Sequence, residues 1–297
     1  MAAASGKVIL LGEHAVVYGH PALVAGIENG AEAAVTRAAA SSITVGAHTE
    51  TTDQGTLGAA LGALLAALDA PPVRAHVHLH IPAGCGLGAS AATGVAVARA
   101  TLELLEPMGT ESLTRRDAIL RAAQAWEKVF HGNPSGIDAA AATLGGCFAF
   151  NRTGGPQAIA VASPLQLAVA IADAPASTKA MVDQVAERRA ADLDRIDSVF
   201  ATIAQLVKGA MRAIEEGSAT RLGELMNQNH VCLQELNVST SALDNACDWA
   251  RSAGALGAKL TGSGGGGCVI ALCAESPRTV LDAWCSRGLS GFPVVVR

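Results

Sequence analysis

Aromatic side chains are scarce in this sequence: five phenylalanines, three tryptophans and one tyrosine among 297 residues. A core cannot be built around large rings here, so small and branched aliphatic side chains must fill it. Charge is scarce too, at 16% of residues, with a formal balance of −5. That excludes the broad basic surface of a nucleic-acid binder but leaves room for a local basic site on a small anion. No apolar run approaches the ~18 residues of a membrane helix. The opening "MAAASGKVILLGEH" meets Glu13 and His14 directly after its short apolar run, unlike a secretory leader. The seven cysteines contain no C-x-x-C pair, which removes the strongest zinc and redox signatures. Cys85, Cys147 and Cys268 sit beside glycines in apolar stretches. They read as small buried thiols in a reducing cytoplasm. Repeats and disordered tracts are missing as well. What remains is a globular chain, half of it apolar, long enough for one large domain or two ordinary ones.

Periodicity supplies the elements. Short apolar or alternating runs at 7–11, 22–27, 31–36 and 42–47 predict strands. A helix over 56–70 stops at Pro71 and Pro72, and "VRAHVHLHI" (73–81) alternates as a half-buried strand does. Helices follow at 88–106, closed by Pro107, and at 114–130. "HGNPSGID" (131–138) is a loop by composition. Strands near 146–150, 157–161 and 165–173 precede helices at 178–189, 191–216, 218–233 and 240–253. A further helix (277–286) and a strand (292–296) close the chain. Strands and helices mix without a βαβα rhythm, which points to the α+β class. The Pro/Ser break before "LQLAVAIAD" predicts two domains, 1–163 and 164–297.

"IPAGCGLGASAA" (81–92) carries the first chemical signal. Gly84, Gly86 and Ala89 fit the dinucleotide fingerprint G-x-G-x-x-G/A. The surroundings do not. The preceding strand alternates, Pro82 interrupts it, and a helix stands where the second parallel strand should be. A Walker A loop fails too, because no G-K-[ST] follows. What survives is a glycine-rich turn whose amides open a helix N-terminus, a natural cradle for an anion. Ser90 adds a hydroxyl suited to capping or to Mg²⁺. A second glycine loop, "TGSGGGG" (261–267), Asp138 in "HGNPSGID", and Lys7, Glu13 and His14 in "GKVILLGEHAVVYGHPAL" complete a set. Amide donors, a lysine, a hydroxyl and carboxylates are the parts of phosphoryl transfer. His76, His78 and His80 share one strand face and admit a zinc reading, but a polar face on an antiparallel strand accounts for them equally. Asp192, Asp194 and Asp197 read as a solvated helix face.

These segments, with "EKVFHGNPSGID", "STKAMV" and "KLTGSGGGGCVIAL", resemble in order the motifs of the GHMP small-molecule kinases, and within them the mevalonate-phosphorylating branch. The resemblance runs from Lys7 to about Ala271. It implies a two-lobed α+β fold with mixed and antiparallel sheets and an active site between the lobes. It implies ATP as co-substrate, held by Gly84, Cys85, Gly86, Leu87, Gly88, Ala89 and Ser90, with Mg²⁺ on Ser90 and Glu127. Asp138 matches the catalytic aspartate and Lys7 the lysine beside it. Glu13, His14, Ser135, Thr178, Gly262 and Ser263 match positions around mevalonate. The resemblance further implies a cytoplasmic enzyme of isoprenoid precursor synthesis, and a homodimer is common in the family. Two departures stand out: Ala89, where many members carry serine, and Asn237, where glycine is usual. Galactokinase is disfavoured by Val17, which stands where that enzyme carries an acidic residue for sugar hydroxyls. Phosphomevalonate kinase would need extra basic residues, and mevalonate diphosphate decarboxylase has different surrounding motifs. A non-catalytic sensor on the same fold would have lost Asp138 or Lys7, and both are present.

Overall fold

The structure, a computed structural model, describes residues 1–105, 113–132 and 135–297. Pro107, Asn133 and Pro134, used above to place a helix end and a loop, lie outside them. The chain forms two compact units. The first comprises Met1–Lys7, Glu28–Ala83 and Gly88–Gly145, and the second Val8–Ile27, Gly84–Leu87 and Gly146–Arg297. Sequence suggested one boundary after residue 163. The chain is divided more finely because β1 (Ala2–Leu11) and β2 (Ala22–Arg37) each begin in one unit and end in the other.

In the first unit the strands run in the order β4-β3-β5-β2. Here β3 (Ser42–Val45) and β4 (His48–Thr51) form a hairpin, and β5 (Val73–Leu79) lies antiparallel to β2 and parallel to β3. The alternation in β5 does what it predicts. Val73, Ala75 and Val77 are buried, while Arg74, His76 and His78 are exposed, the pattern of a sheet covered on one face. Among the described residues no group of three His, Cys, Asp or Glu side chains could hold a metal ion. His76 and His78 lie on the exposed face that the alternation predicts, and His80 is exposed just past the strand's end.

The covered face meets α1 (Gly55–Ala67), α2 (Ala89–Leu105), α3 (Leu113–His131) and α4 (Ile137–Leu144). Helix α2 is rich in small residues for a physical reason. A Cβ at Gly94 would lie 2.8 Å from the Trp126 ring, so only the bare backbone admits this fully buried indole of α3. The runs at 22–27 and 31–36 prove to be one strand. His80 N donates to Gly30 O at 2.9 Å, which extends the pairing with β5 one residue beyond Ala31. The strand 48–51 escaped the sequence reading because "HTET" has no apolar alternation.

The second unit holds an antiparallel sheet ordered β11-β8-β10-β9. Its members are β8 (Leu165–Asp173), β9 (Gly257–Thr261), β10 (Gly267–Cys273) and β11 (Ser290–Val296). Every residue of β9 and β10 is buried. Helices α5 (Thr178–Ala191), α6 (Leu193–Glu215), α7 (Ala219–Glu235), α8 (Ser241–Ser252) and α9 (Arg278–Cys285) complete it. The hairpin of β6 (Cys147–Asn151) and β7 (Gly155–Ile159) pairs through β6 with the start of β2. Asp197, read as part of a solvated face, remains 43% exposed there and is held by a two-pronged contact from Arg189, at 2.5 and 2.8 Å.

Candidate active site

Within the first unit, four predicted groups converge. Lys7, near the middle of β1, places Nζ 3.2 Å from Oδ1 of Asp138 in the first turn of α4. A Cβ at Gly88 would lie 3.0 Å from Lys7 Cγ and 3.7 Å from Asp138 Oδ1, so the end of the first glycine loop presses on this pair. In the first turn of α2, Ser90 Oγ donates to Glu127 Oε1 at 2.5 Å. Glu127 is buried, and that burial pushes its carboxyl above the usual range. The Ser90 hydroxyl pulls it down, and the Asp138 charge pushes it up again. A small cavity beside these groups is lined by Gln124, Glu127, Gly136, Asp138 and Ala139. Ser135 is exposed just before α4, where its Oγ accepts from Ile137 N at 3.4 Å.

Oxygen donors dominate here. A hydroxyl and a desolvated carboxylate make a donor set that fits a hard divalent cation such as Mg²⁺. The sequence reading missed one part of it. Trp126 reads as core, and it is core. Its Nε1 also donates to Ser90 Oγ at 3.1 Å, since a buried indole N–H needs an acceptor. Gln124 was missed as well, because one polar residue on an amphipathic helix carries no signal of its own.

Within the second unit a different set converges. His14 has φ 61° and ψ −49°, and Ala15 N donates back to Glu13 O at 2.7 Å. This is a γ-turn, a strained conformation for a residue with a side chain. The His14 ring bonds through Nε2 to Ser263 O at 2.8 Å. A carbonyl can only accept, so Nε2 carries the proton. Burial lowers the imidazole's basicity, which keeps the ring neutral and leaves Nδ1 as an acceptor. Ser263 Oγ reaches Thr178 Oγ1, at the start of α5, at 3.4 Å. Gly86 of the first glycine loop abuts Gly262 of the second, where a Cβ would come 3.9 Å from Gly262 Cα.

Glu13 is buried and meets two groups that the sequence did not single out. Lys259 Nζ donates to Oε1, and Asn229 Nδ2 donates to Oε2 at 3.2 Å. The sequence does carry a hint of Lys259: it is the one charged residue in a strand buried throughout.

Comparison with known proteins accounts for this combination. Residues 56–146 match the GHMP kinases N terminal domain, and residues 210–289 match GHMP kinases C terminal. The mevalonate kinase of Pyrococcus horikoshii is 33% identical over an alignment spanning 100% of this chain and 95% of the relative. That of Thermococcus sibiricus gives 33% with the same coverage. The chain belongs to the mevalonate kinase family of GHMP kinases. A solved structure of this family, L. major mevalonate kinase in complex with R-mevalonate, superposes with a TM-score of 0.87. It covers 98% of this chain and 94% of its own, at 28% identity. The mevalonate kinase fold is thus present along the length of the chain. Among the described residues no helix is long and apolar enough to cross a membrane.

Proposed function

We propose that the protein transfers the γ-phosphoryl group of ATP to the primary hydroxyl of mevalonate, giving 5-phosphomevalonate and ADP. The observation that carries this reading is the pairing of Lys7 with Asp138 in the same unit as the Ser90–Glu127 donor set. One pair suits proton removal and the other suits the metal of a nucleotide, and phosphoryl transfer needs both.

The glycine loop 84–88 and the first turn of α2 present amides to the ATP phosphates, helped by the positive end of the helix. Ser90 and Glu127 would hold Mg²⁺, which supplies charge neutralisation at the β- and γ-phosphates when bound. Asp138 takes the hydroxyl proton on its open side as the new O–P bond forms. The bond from the γ-phosphorus to the bridging oxygen breaks, and its electron pair leaves with ADP. Lys7 offsets negative charge on the transferring group. His14, Ser135, Thr178, Gly262 and Ser263 form the mevalonate-recognition set, with His14 Nδ1 available to accept from a substrate hydroxyl. Glu13 belongs to this set in the manner derived below. Val17, half-exposed on the turn after His14, offers no charge to a sugar, which weighs against galactose. We place the enzyme in the cytoplasm, where thiols as buried as Cys147 and Cys247, both pushed up to about 12 by desolvation, remain reduced and inert.

Purified protein with ATP and Mg²⁺ should release ADP far faster with R-mevalonate than with galactose, homoserine or phosphomevalonate. Equal rates across these alcohols would sink the substrate assignment.

A further inference from the structure

The group that organises the second unit's site is a buried charge cluster that the phosphoryl-transfer chemistry does not use. Glu13 is 1% exposed, and Lys259 and Asn229 are at 0%. Lys259 Nζ also donates to the carbonyls of Ile9 and Leu260. Thr261 Oγ1 accepts from Ile9 N at 2.9 Å and lies 3.1 Å from Ile9 O. Ile9 of β1 is therefore tied to both Lys259 and Thr261 of β9, shortly before the γ-turn at His14. On the other side, β9 runs straight into Gly262 and Ser263, whose carbonyl holds the His14 ring.

We infer that Lys259 and Asn229 are positioning residues that hold Glu13 as a buried anchor for the His14 turn, and that Glu13 itself does not touch the alcohol substrate. This rests on the reading of His14, Thr178 and Ser263 as substrate-binding.

Three arguments support it. First, each Glu13 carboxylate oxygen already meets a donor inside the protein, and almost none of the side chain reaches solvent. Second, a γ-turn at a non-glycine residue persists only where its surroundings over-determine it. Here Glu13 is fixed by its side chain on one side of the turn and His14 by its ring on the other. Third, the cluster is poorly explained as a stabilising device. A buried ion pair rarely outperforms well-packed apolar side chains of the same volume. Asn229 Oδ1, moreover, meets no hydrogen-bond partner among the described residues, which adds a desolvation cost. Side chains that do little for stability yet fix a strained turn are best explained by what the turn presents.

The test is steady-state kinetics and thermal melting of Lys259→Met, Glu13→Gln, Asn229→Leu and the double variant Glu13→Gln/Lys259→Met. Wild-type protein is first assayed with R-mevalonate and ATP. Lys259→Met and Asn229→Leu should raise KM for mevalonate roughly ten-fold, the scale of lost orienting contacts. KM for ATP should move less than about two-fold, because uniform nucleotide binding is untouched. Removing both charges together should recover melting temperature, since no unpaired buried charge remains, but not the mevalonate KM, since the contact that anchors the turn is gone. The side-chain amide that Glu13→Gln introduces can still accept from Asn229. A double variant that regains both the wild-type melting temperature and the wild-type mevalonate KM would show that the Lys259–Glu13 contact positions nothing, and would overturn the inference. So would a folded Lys259→Met or Asn229→Leu variant with unchanged mevalonate KM. If Lys259→Met does not fold, the double variant decides alone. If wild-type protein ignores mevalonate but phosphorylates another alcohol, the substrate assignment fails, and the same ratios measured with that alcohol decide the positioning role.

Discussion

Lys7 Nζ lies 3.2 Å from Asp138 Oδ1, with the lysine side chain 8% exposed and the aspartate 37% exposed. The asymmetry is informative. The cation is fixed by its burial in β1, while the carboxylate keeps an open side from which it can meet a substrate proton. A surface ion pair would contribute little. That asymmetry supports the proposed role of Asp138 as a base whose partner is held in place.

Replacing Asp138 by asparagine keeps the shape and removes the base. The expected outcome is a fall in kcat of at least ~10², the usual scale of general-base catalysis. ATP affinity, measured by equilibrium dialysis, should stay within about two-fold, since the glycine loop is untouched. Full turnover in Asp138→Asn would remove it from the base role.

Legibility in the sequence follows from what else could explain a residue. Lys7, Ser90, Asp138 and His14 stand in glycine-bearing segments where no apolar pattern accounts for them, so chemistry was the readable cause. Trp126 was invisible as a functional residue because burial alone suffices to explain it. Asn229 was invisible, and Lys259 left only the hint of a lone charge in an apolar segment, because their partner, Glu13, is 216 and 246 residues away, and no local pattern records such a pairing. The fold shows the same division. Periodic elements such as β5 and α6 were read directly. Alanine-rich 2–6 and polar 48–51 become strands only through their neighbours, tertiary pairing overriding weak local preference.

The Ser90–Glu127–Trp126 arrangement makes a graded prediction for the metal. Glu127→Gln removes the charge and should raise the Mg²⁺ concentration for half-maximal activity by about ten-fold or more. Trp126→Phe leaves both ligands in place but frees the Ser90 hydroxyl from its indole donor. It should shift the same titration in the same direction by a smaller factor, within the 10–100-fold range of lost orienting contacts. A Trp126→Phe variant with a wild-type Mg²⁺ titration would show that the indole only fills space against Gly94.

His230 predicts the acid side of the stability curve. It is 2% exposed, and desolvation, with the charges of Lys259 and Arg251, lowers its pKa to about 4 against the pull of Asp244. Leu260 N donates to Nδ1 and Asp244 Oδ1 lies 3.0 Å from Nε2, so the neutral ring is the one that fits. The unfolded chain binds this proton near the ordinary histidine value and the folded chain does not. The stabilising contribution is therefore fully present above that value and is lost as pH falls toward 4. Between pH 7 and pH 5 the loss is about 2 kcal/mol. His230→Gln should flatten that part of the melting profile. An unchanged slope in the variant would assign the acid sensitivity to other groups.

Gly88 separates backbone strain from chemistry. Its φ is +78°, and a Cβ there would meet Lys7 Cγ at 3.0 Å. Gly88→Ala thus pays conformational strain of roughly 1–2 kcal/mol and also pushes the Lys7 side chain by a few tenths of an ångström. Lys7 is buried and cannot swing freely aside, so the push is passed on to its contact with Asp138. Gly46, in the β3–β4 turn at φ +60° with nothing within 4 Å of its Cβ position, carries strain of the same kind without a neighbour. Gly46→Ala should therefore lose melting temperature through strain alone and keep kcat, while Gly88→Ala loses more melting temperature and also kcat, by about ten-fold or more, since reacting groups displaced even slightly lose orientation. If the two variants lost activity alike, the glycine would be serving the turn alone, and the contact between the loop and Lys7 would have no part in catalysis.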